Sequence, residues 1–323
     1  MLKIILYMRS RYILSLLLLF FSLSVCTSSS AQDAFREYVE PDGWSIGINA
    51  GLSDLWGDVG TKSIIQHYTN GHYFDKVAVL AGMFGRYTIH PCLAVRLQAN
   101  YGALYATDKW NYNLASKATT EGDDAYQRYA RAQNVKDDVF EGTLLFELTI
   151  FRINPESKRA NKRGQPYIAA GFTYFNFTPY STVGDGGTWV KVRPLDLEGQ
   201  GWGAGYPKQF KSWQPAIPLA IGYRWDLGQH LNFGIEYMYR YTFTDYLDGV
   251  SGKYVDPTLY AKHLSPGNAA IAPLVADKGY YAGLEQPNAA GNLRGNPSNK
   301  DSYSTVGFTL YYKINTSTRR WWR

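Results

Sequence analysis

Eight stretches of this 323-residue chain alternate apolar and polar side chains for ten residues or more, and the connections between them are alternately long and short. The stretches are 43–52, 76–89, 93–106, 137–151, 166–178, 211–227, 231–243 and 302–315. In NFGIEYMYRYTF, residues 232–243, the side chains of Phe233, Ile235, Tyr237, Tyr239, Tyr241 and Phe243 share one parity, against Asn232, Gly234, Glu236, Arg240 and Thr242 on the other. A period of two describes a strand whose faces meet different surroundings. The long connections, 53–75, 107–136, 179–210 and 244–301, are separated by short ones at 90–92, 152–165 and 228–230. Sandwich strands run to about five or six residues, whereas a tilted membrane strand needs about 9 to 11. An even strand number with alternately short and long loops is the pattern of an outer-membrane barrel. The expected fold is an all-β, eight-stranded antiparallel transmembrane β-barrel over 43–315, with long extracellular loops. A composition of 16% aromatic residues, 27 of them Tyr, fits the interfacial girdles such a barrel carries.

Parity supplies an internal check. Val77, Val79, Ala81, Met83, Tyr87 and Ile89 share one face of the second stretch, and Leu93, Val95, Leu97, Ala99, Tyr101 and Tyr105 one face of the third. Both sets face the same side only if the connection holds an odd number of residues, because a one-residue slip turns every side chain over. His90, Pro91 and Cys92 satisfy this, as do Gly228, Gln229 and His230 between the sixth and seventh stretches.

With the aromatic faces outward, Arg86, Arg96, Glu141, Glu147, Arg224, Glu236 and Arg240 point into the lumen. An eight-stranded barrel has room inside for little more than its own side chains, so these charges are expected to pair as an internal plug. The register sets Arg86 against Arg96, and Glu147 on the next strand is the expected counter-charge. The fifth stretch, Tyr167–Phe177, is apolar on both faces and leaves open whether its aromatics line the lumen.

The first 31 residues have the form of a secretion signal: Lys3, Arg9 and Arg11, an apolar run from Ile13 to Val25, then Ser29-Ser30-Ala31. The expected mature chain carries a periplasmic segment over 32–42, and loss of the three basic residues takes the formal charge from +6 to +3. Only Cys92 then remains, so no internal disulfide forms and no Cys/His spacing points to zinc.

Four loop motifs carry a resemblance. GDVG at 57–60, EGQG at 198–201, RYTFTDYLDGVS at 240–251 and RGNPSNKDSY at 294–303 resemble an outer-membrane β-barrel family of otherwise unassigned domain that includes PorG-type proteins of the type IX secretion system. The similarity runs in order from about Gly43 to Asn315. It implies an integral barrel in the bacterial outer membrane associated with the periplasmic ring of that machinery; with the signal, the eight stretches and the alternating connections putting both termini in the periplasm, the expected role is a non-enzymatic anchor for periplasmic lipoprotein or ring subunits. The long 244–301 loop and the terminal RRWWR depart from shorter members. A free-standing surface barrel whose loops bind a ligand, lipid or another cell is the alternative.

Read as residues, the same motifs are turn chemistry, with Gly, Asn, Asp and Pro where strands end. Asp245, Asp248 and Asp256 are hard oxygen ligands that suit Ca²⁺, but their spacing is not that of an EF-hand, and neither metal nor cofactor is expected. The loop 244–301 is too long for an idle connection. A short helix is expected within Ala269–Lys278, interrupted by Pro273.

The short-turn side has its own signal. Arg152, Lys158, Arg159, Lys162 and Arg163 face Glu156 alone, and the 316–323 tail carries Arg319, Arg320 and Arg323 beside Trp321 and Trp322. Trp and Arg are common interface anchors, so this face is the expected docking surface for periplasmic partners, with outer-membrane lipid as the other neighbour. No nucleophile motif supports catalysis, although His67, His72 and His263 fall in the outer loops. An exported chain without an aromatic-interleaved basic groove has no nucleic-acid partner.

Overall fold

The computed structural model describes residues 43–61, 78–90, 92–120, 122–150, 164–227, 230–283 and 288–314. Eight long strands form the frame: β1 (Gly43–Trp56), β2 (Val79–His90), β3 (Leu93–Thr107), β4 (Asn134–Thr149), β5 (Gly164–Thr182), β7 (Trp213–Asp226), β8 (Leu231–Thr242) and β9 (Ser302–Lys313). Each pairs antiparallel with its neighbour, and β1 pairs with β9, so the sheet closes on itself. The fold is a closed eight-stranded antiparallel β-barrel. A three-residue strand, β6 (Trp189–Lys191), absent from the sequence expectation, adds to the far end of β5 through Tyr180, Ser181 and Thr182. Its few residues carry no periodicity to read.

The register follows the parity argument. Thr88 pairs with Ala94 and Asp226 with Asn232, both pairs pointing inward, and Arg86 lies opposite Arg96. Several strands run past their expected ends on the long-loop side: β1 reaches Trp56, β4 begins at Asn134 and β5 continues to Thr182. There β1 and β5 become buried on both faces, whereas β4 keeps its alternation.

Outside, the long strands show Ile46, Ile48, Met83, Leu97, Leu144 and Leu219 at mid-height, all exposed. Among the residues of these eight strands, only Lys136 and Asp138, at the loop end of β4, put charge on the outer face. Aromatic rings mark both rims. Trp44 packs on Tyr87 (5.1 Å) and Trp225 on Phe233 (5.9 Å) near the short-turn end, while Tyr174 stacks on Trp213 (5.3 Å) and Tyr241 meets Phe243 (5.6 Å) at the other. So continuous an apolar belt exceeds what monomeric soluble proteins expose, and two aromatic girdles are how a bilayer-spanning surface ends.

The long connections fold into a cap over one end. It contains α1 (Asp124–Arg131) and α2 (Pro266–Ala276). Its apolar core joins Val192, Leu195 and Leu197 to Tyr260, Val275 and Ala276. Pro273 does not interrupt α2 as expected: the helix starts earlier, at Pro266, and runs three residues past Pro273. A proline so near the C-terminus removes only one bond from a turn that is about to end. The leader, the 32–42 segment, the basic residues Arg152, Lys158, Arg159, Lys162 and Arg163, and the tail residues Arg319, Arg320, Trp321, Trp322 and Arg323 lie outside the described residues.

Candidate functional site

Inward parity gathers all seven expected lumen charges into two layers. Nearer the short turns, the Glu147 carboxylate accepts from Arg86 Nε (2.8 Å) and Arg224 Nη1 (2.9 Å) and ion-pairs with Arg96 Nε (3.0 Å). Arg96 Nη2 also pairs with Glu236, which accepts from the Tyr167 hydroxyl at 2.7 Å. Arg86 also reaches Thr88 Oγ1 (2.8 Å), and Arg224 also reaches Gln165 Oε1 (3.1 Å) and Thr149 Oγ1 (2.5 Å). A second layer sets Arg240 on Glu141 through two bonds (2.7 and 3.1 Å), with Asn100 Nδ2 (2.7 Å) and the Tyr303 hydroxyl (2.5 Å) on the same carboxylate. Leu145, Ala169, Ala220 and Met238 seal the space between the layers. Burying charge is tolerable only when both members are paired and bonded, and here they are.

The ambiguous fifth stretch resolves at this point. Tyr167, Phe175 and Phe177 point inward. Gly222, opposite Tyr167 in the register, leaves a notch for that ring: a Cβ there would stand 2.4 Å from it. Phe175 and Phe177 join Leu55, Leu104, Val139 and Tyr303 in an apolar plug on the loop side. Among the described residues, this plug and the two charge layers fill the middle of the lumen.

Above the plug, the four loop motifs meet. Arg294 of RGNPSN is buried and donates from Nη1 to Glu198 Oε1 of EGQG (2.8 Å) and to the Gly249 carbonyl (2.8 Å). Glu198 also accepts from the amides of Ser251 (2.9 Å) and Gly252 (2.8 Å), beside the YLDGVS motif. Asp248 of that motif accepts from Val59 N of GDVG (2.8 Å), and Asp58 of GDVG accepts from Asn296 N. Arg131, closing α1, bonds Asp108 just after β3 (2.8 Å) and the Arg294 carbonyl (2.8 Å). Thus residues spread over the chain form one polar lock. Sequence reading marked the motifs but not the Glu198–Arg294 pair, nor Asp108 and Arg131. A signal existed in charged residues set among glycines.

Of the three aspartates considered for calcium, Asp256 is an exposed cap on Thr258 N (2.9 Å), while Asp245 and Asp248 are buried. His263 stacks on Trp202 at 4.4 Å, while His67 and His72 lie outside the described residues.

Four carboxylates instead crowd the base of the cap. Burial, reinforced by Asp58, pushes Asp248 up to about 7, and burial with Asp248 and Asp245 close by raises Asp301 well above the carboxylate range. A carboxyl whose folded pKa is raised binds its proton in the folded state while the unfolded chain has lost it. Its stabilising contribution is complete below about pH 4 and is lost as pH rises to 7. Lys278, buried against Asn134 Oδ1 (2.6 Å) and Ser181 Oγ (2.8 Å), is pushed down to about 7 by burial and then by Arg294. It is protonated in both states below that point, so the carboxylates alone set the trend between pH 4 and 7. Cleavage of the 244–301 loop by a protease is expected to be slower at pH 5 than at pH 7, on the order of tenfold, after correction with an unfolded substrate. Equal corrected rates would remove this role from the carboxylates.

A cavity of about 450 Å³ opens at the flank of the cap, lined by Tyr105, Trp110, Tyr112, Tyr129 and Tyr281 with Lys109 and Asp185 at its edge.

No family model and no curated protein matches the sequence. Among solved structures, the chain is similar to the outer membrane protein OprG from Pseudomonas aeruginosa, at 12% identity over 86% of this chain and 100% of that one, with a TM-score of 0.34. Neisserial surface protein A aligns at 8% identity over 84% and 97% of the two chains, with a TM-score of 0.34. The attachment invasion locus protein Ail of Yersinia pestis aligns at 8% identity over 84% and 99%, also with a TM-score of 0.34. The closed strand ring, rather than these alignments, establishes the eight-stranded barrel.

Proposed function

We propose that this chain is an integral, non-enzymatic barrel of the bacterial outer membrane, with its cap outside and its termini in the periplasm, and that it anchors periplasmic components of a type IX secretion machinery in the manner of PorG-type proteins. The observation that carries the reading is the meeting of the four resemblance motifs in one buried lock. They describe a shared architecture rather than four unrelated turns. The charge layers and apolar plug inside the barrel support an anchor over a conduit, and the apolar belt with aromatic rims supports residence in a bilayer. The docking elements of this reading are the turn carrying Arg152, Lys158, Arg159, Lys162 and Arg163 and the tail carrying Arg319, Arg320, Trp321, Trp322 and Arg323, with the tryptophans as anchors and the charges steering approach. Deleting 316–323 and neutralising the turn is expected to abolish co-purification of lipoprotein or ring subunits while barrel insertion is unchanged. Full recovery of the same partners would reject the anchor. The cavity in the cap favours a second reading, a surface barrel whose loops bind a ligand, and then the same deletion leaves function intact.

A further inference from the structure

The flank cavity is built by three separate connections. The β3–β4 loop supplies Trp110, Tyr112 and Tyr129, the β5–β6 turn supplies Asp185, and the β8–β9 loop supplies Tyr281. Tyr112 and Tyr129 stand 5.6 Å apart, inclined at 58°, so their faces form a corner. Tyr105 forms the floor, edge-on to Trp110 (5.9 Å) and Trp189 (6.3 Å), near the loop end of β3 on its outward parity. That places the cavity beside the loop-side aromatic rim of the barrel. Lys109 Nζ and Asp185 Oδ1 pair at 2.5 Å at its edge, and both side chains are substantially exposed.

Each feature narrows the ligand. Opposite charges at the edge cancel, so neither a net anion nor a net cation is selected. An acyl chain would bind best in an apolar tunnel, whereas this cavity is open and rimmed by charge. Several aromatic faces beside a carboxylate and an ammonium match a ring that is apolar on its C–H face and ringed by hydroxyls. A pyranose has that form. The carboxylate accepts from two neighbouring hydroxyls, the ammonium donates to others, and the tyrosine rings cover the C–H face. About 450 Å³ holds roughly two such rings and lies within the range of small-molecule sites.

We propose that this cavity is a binding site for a pyranose-containing saccharide, held between the Tyr112, Tyr129 and Tyr281 rings and the Lys109–Asp185 pair. The outer-membrane reading enters only in the source of the sugar, either the saccharide headgroup of a glycolipid in the surrounding leaflet or a free glycan outside the cell.

The test uses the full mature chain in an amine-oxide detergent, since glycoside detergents would compete. Titration with cellobiose, lactose and chitobiose is followed by tryptophan fluorescence and by saturation transfer to the sugar protons. Saturable binding of at least one disaccharide in the millimolar range is expected. Tyr112→Ala with Tyr281→Ala should weaken it at least tenfold, and Asp185→Asn with Lys109→Met should weaken it similarly. Tyr112→Phe with Tyr281→Phe, which keeps the rings, should retain most of it. Both tyrosines are exposed, so the unfolding midpoint should not move in any variant. In nanodiscs, binding of lipopolysaccharide that these variants weaken identifies a headgroup source, and binding of the free sugars alone identifies a free one. Absence of binding to every sugar up to tens of millimolar and to lipopolysaccharide overturns the proposal, as does wild-type affinity in the alanine pair. Equal competition by a phospholipid without saccharide overturns it in favour of an acyl site. Protease access to the cap in intact cells tests the membrane orientation separately.

Discussion

Replacing Glu147 with Ala is expected to lower the stability of the barrel by about 3–5 kcal/mol, the range for removing one member of a buried ion pair. The carboxylate serves Arg86, Arg96 and Arg224 at once, and all four side chains are almost fully buried. After the change Arg96 keeps Glu236, whereas Arg86, with Thr88 Oγ1, and Arg224, with Gln165 and Thr149, lose the carboxylate they share. Three guanidinium groups then repel across a space too narrow to hydrate them fully. Glu147→Gln preserves shape but not charge and should recover only part of the loss. Urea unfolding of the micelle-bound chain, followed by loss of the compact heat-modifiable band, gives the midpoint. An unchanged midpoint for Glu147→Ala would mean that water, not Glu147, balances the arginines.

Arg294→Ala should open the cap and leave the barrel closed. Its guanidinium reaches Glu198 and the carbonyls of Gly249 and Ala276, so the truncation leaves one buried carboxylate without its counter-charge and removes a donor from two carbonyls, of which Ala276 keeps Gln133 Nε2. A local cost of about 3–5 kcal/mol is expected. Protease sensitivity should rise in 193–212 and 244–301, the two connections the pair joins. Arg294→Lys should rescue little, because one ammonium cannot reproduce a planar fork spanning several acceptors. The mobility of the folded barrel on gels should not change. If heat-modifiability is lost with cap protection, the cap and barrel unfold as one unit and the lock is part of the barrel's own stability.

The two predictions differ in how much of them the sequence discloses. Glu147 follows from parity: once Leu144 and Phe146 face outward, it must face inward, and the Arg86–Arg96 register places it beside two cations. The same reasoning assigns Glu141, Arg224, Glu236 and Arg240 to the lumen. It does not choose among partners, because side chains long enough to cross a narrow barrel reach several strands. Glu236 joins Arg96 across 140 positions, which no local pattern encodes. Loops have no periodicity at all, so Glu198 and Arg294, 96 positions apart, read only as polar residues within turn motifs. The helix runs through Pro273, against the expected break, for a related reason: a breaker near a helix end costs less than one in the middle, and the sequence alone does not place that end.

What the sequence determined by itself is the barrel: the number of long strands, the register of the two hairpins at 90–92 and 228–230, and which side chains share a face. Those follow because a two-residue period meeting two different surroundings leaves each side chain one permitted direction. The tertiary structure alone decided that the long connections form a folded cap, that four distant motifs close on the Glu198–Arg294 pair, and that tyrosines from separate loops line one cavity. These depend on contacts between segments far apart in the chain, whose geometry is fixed only after the strands have brought the loop ends together.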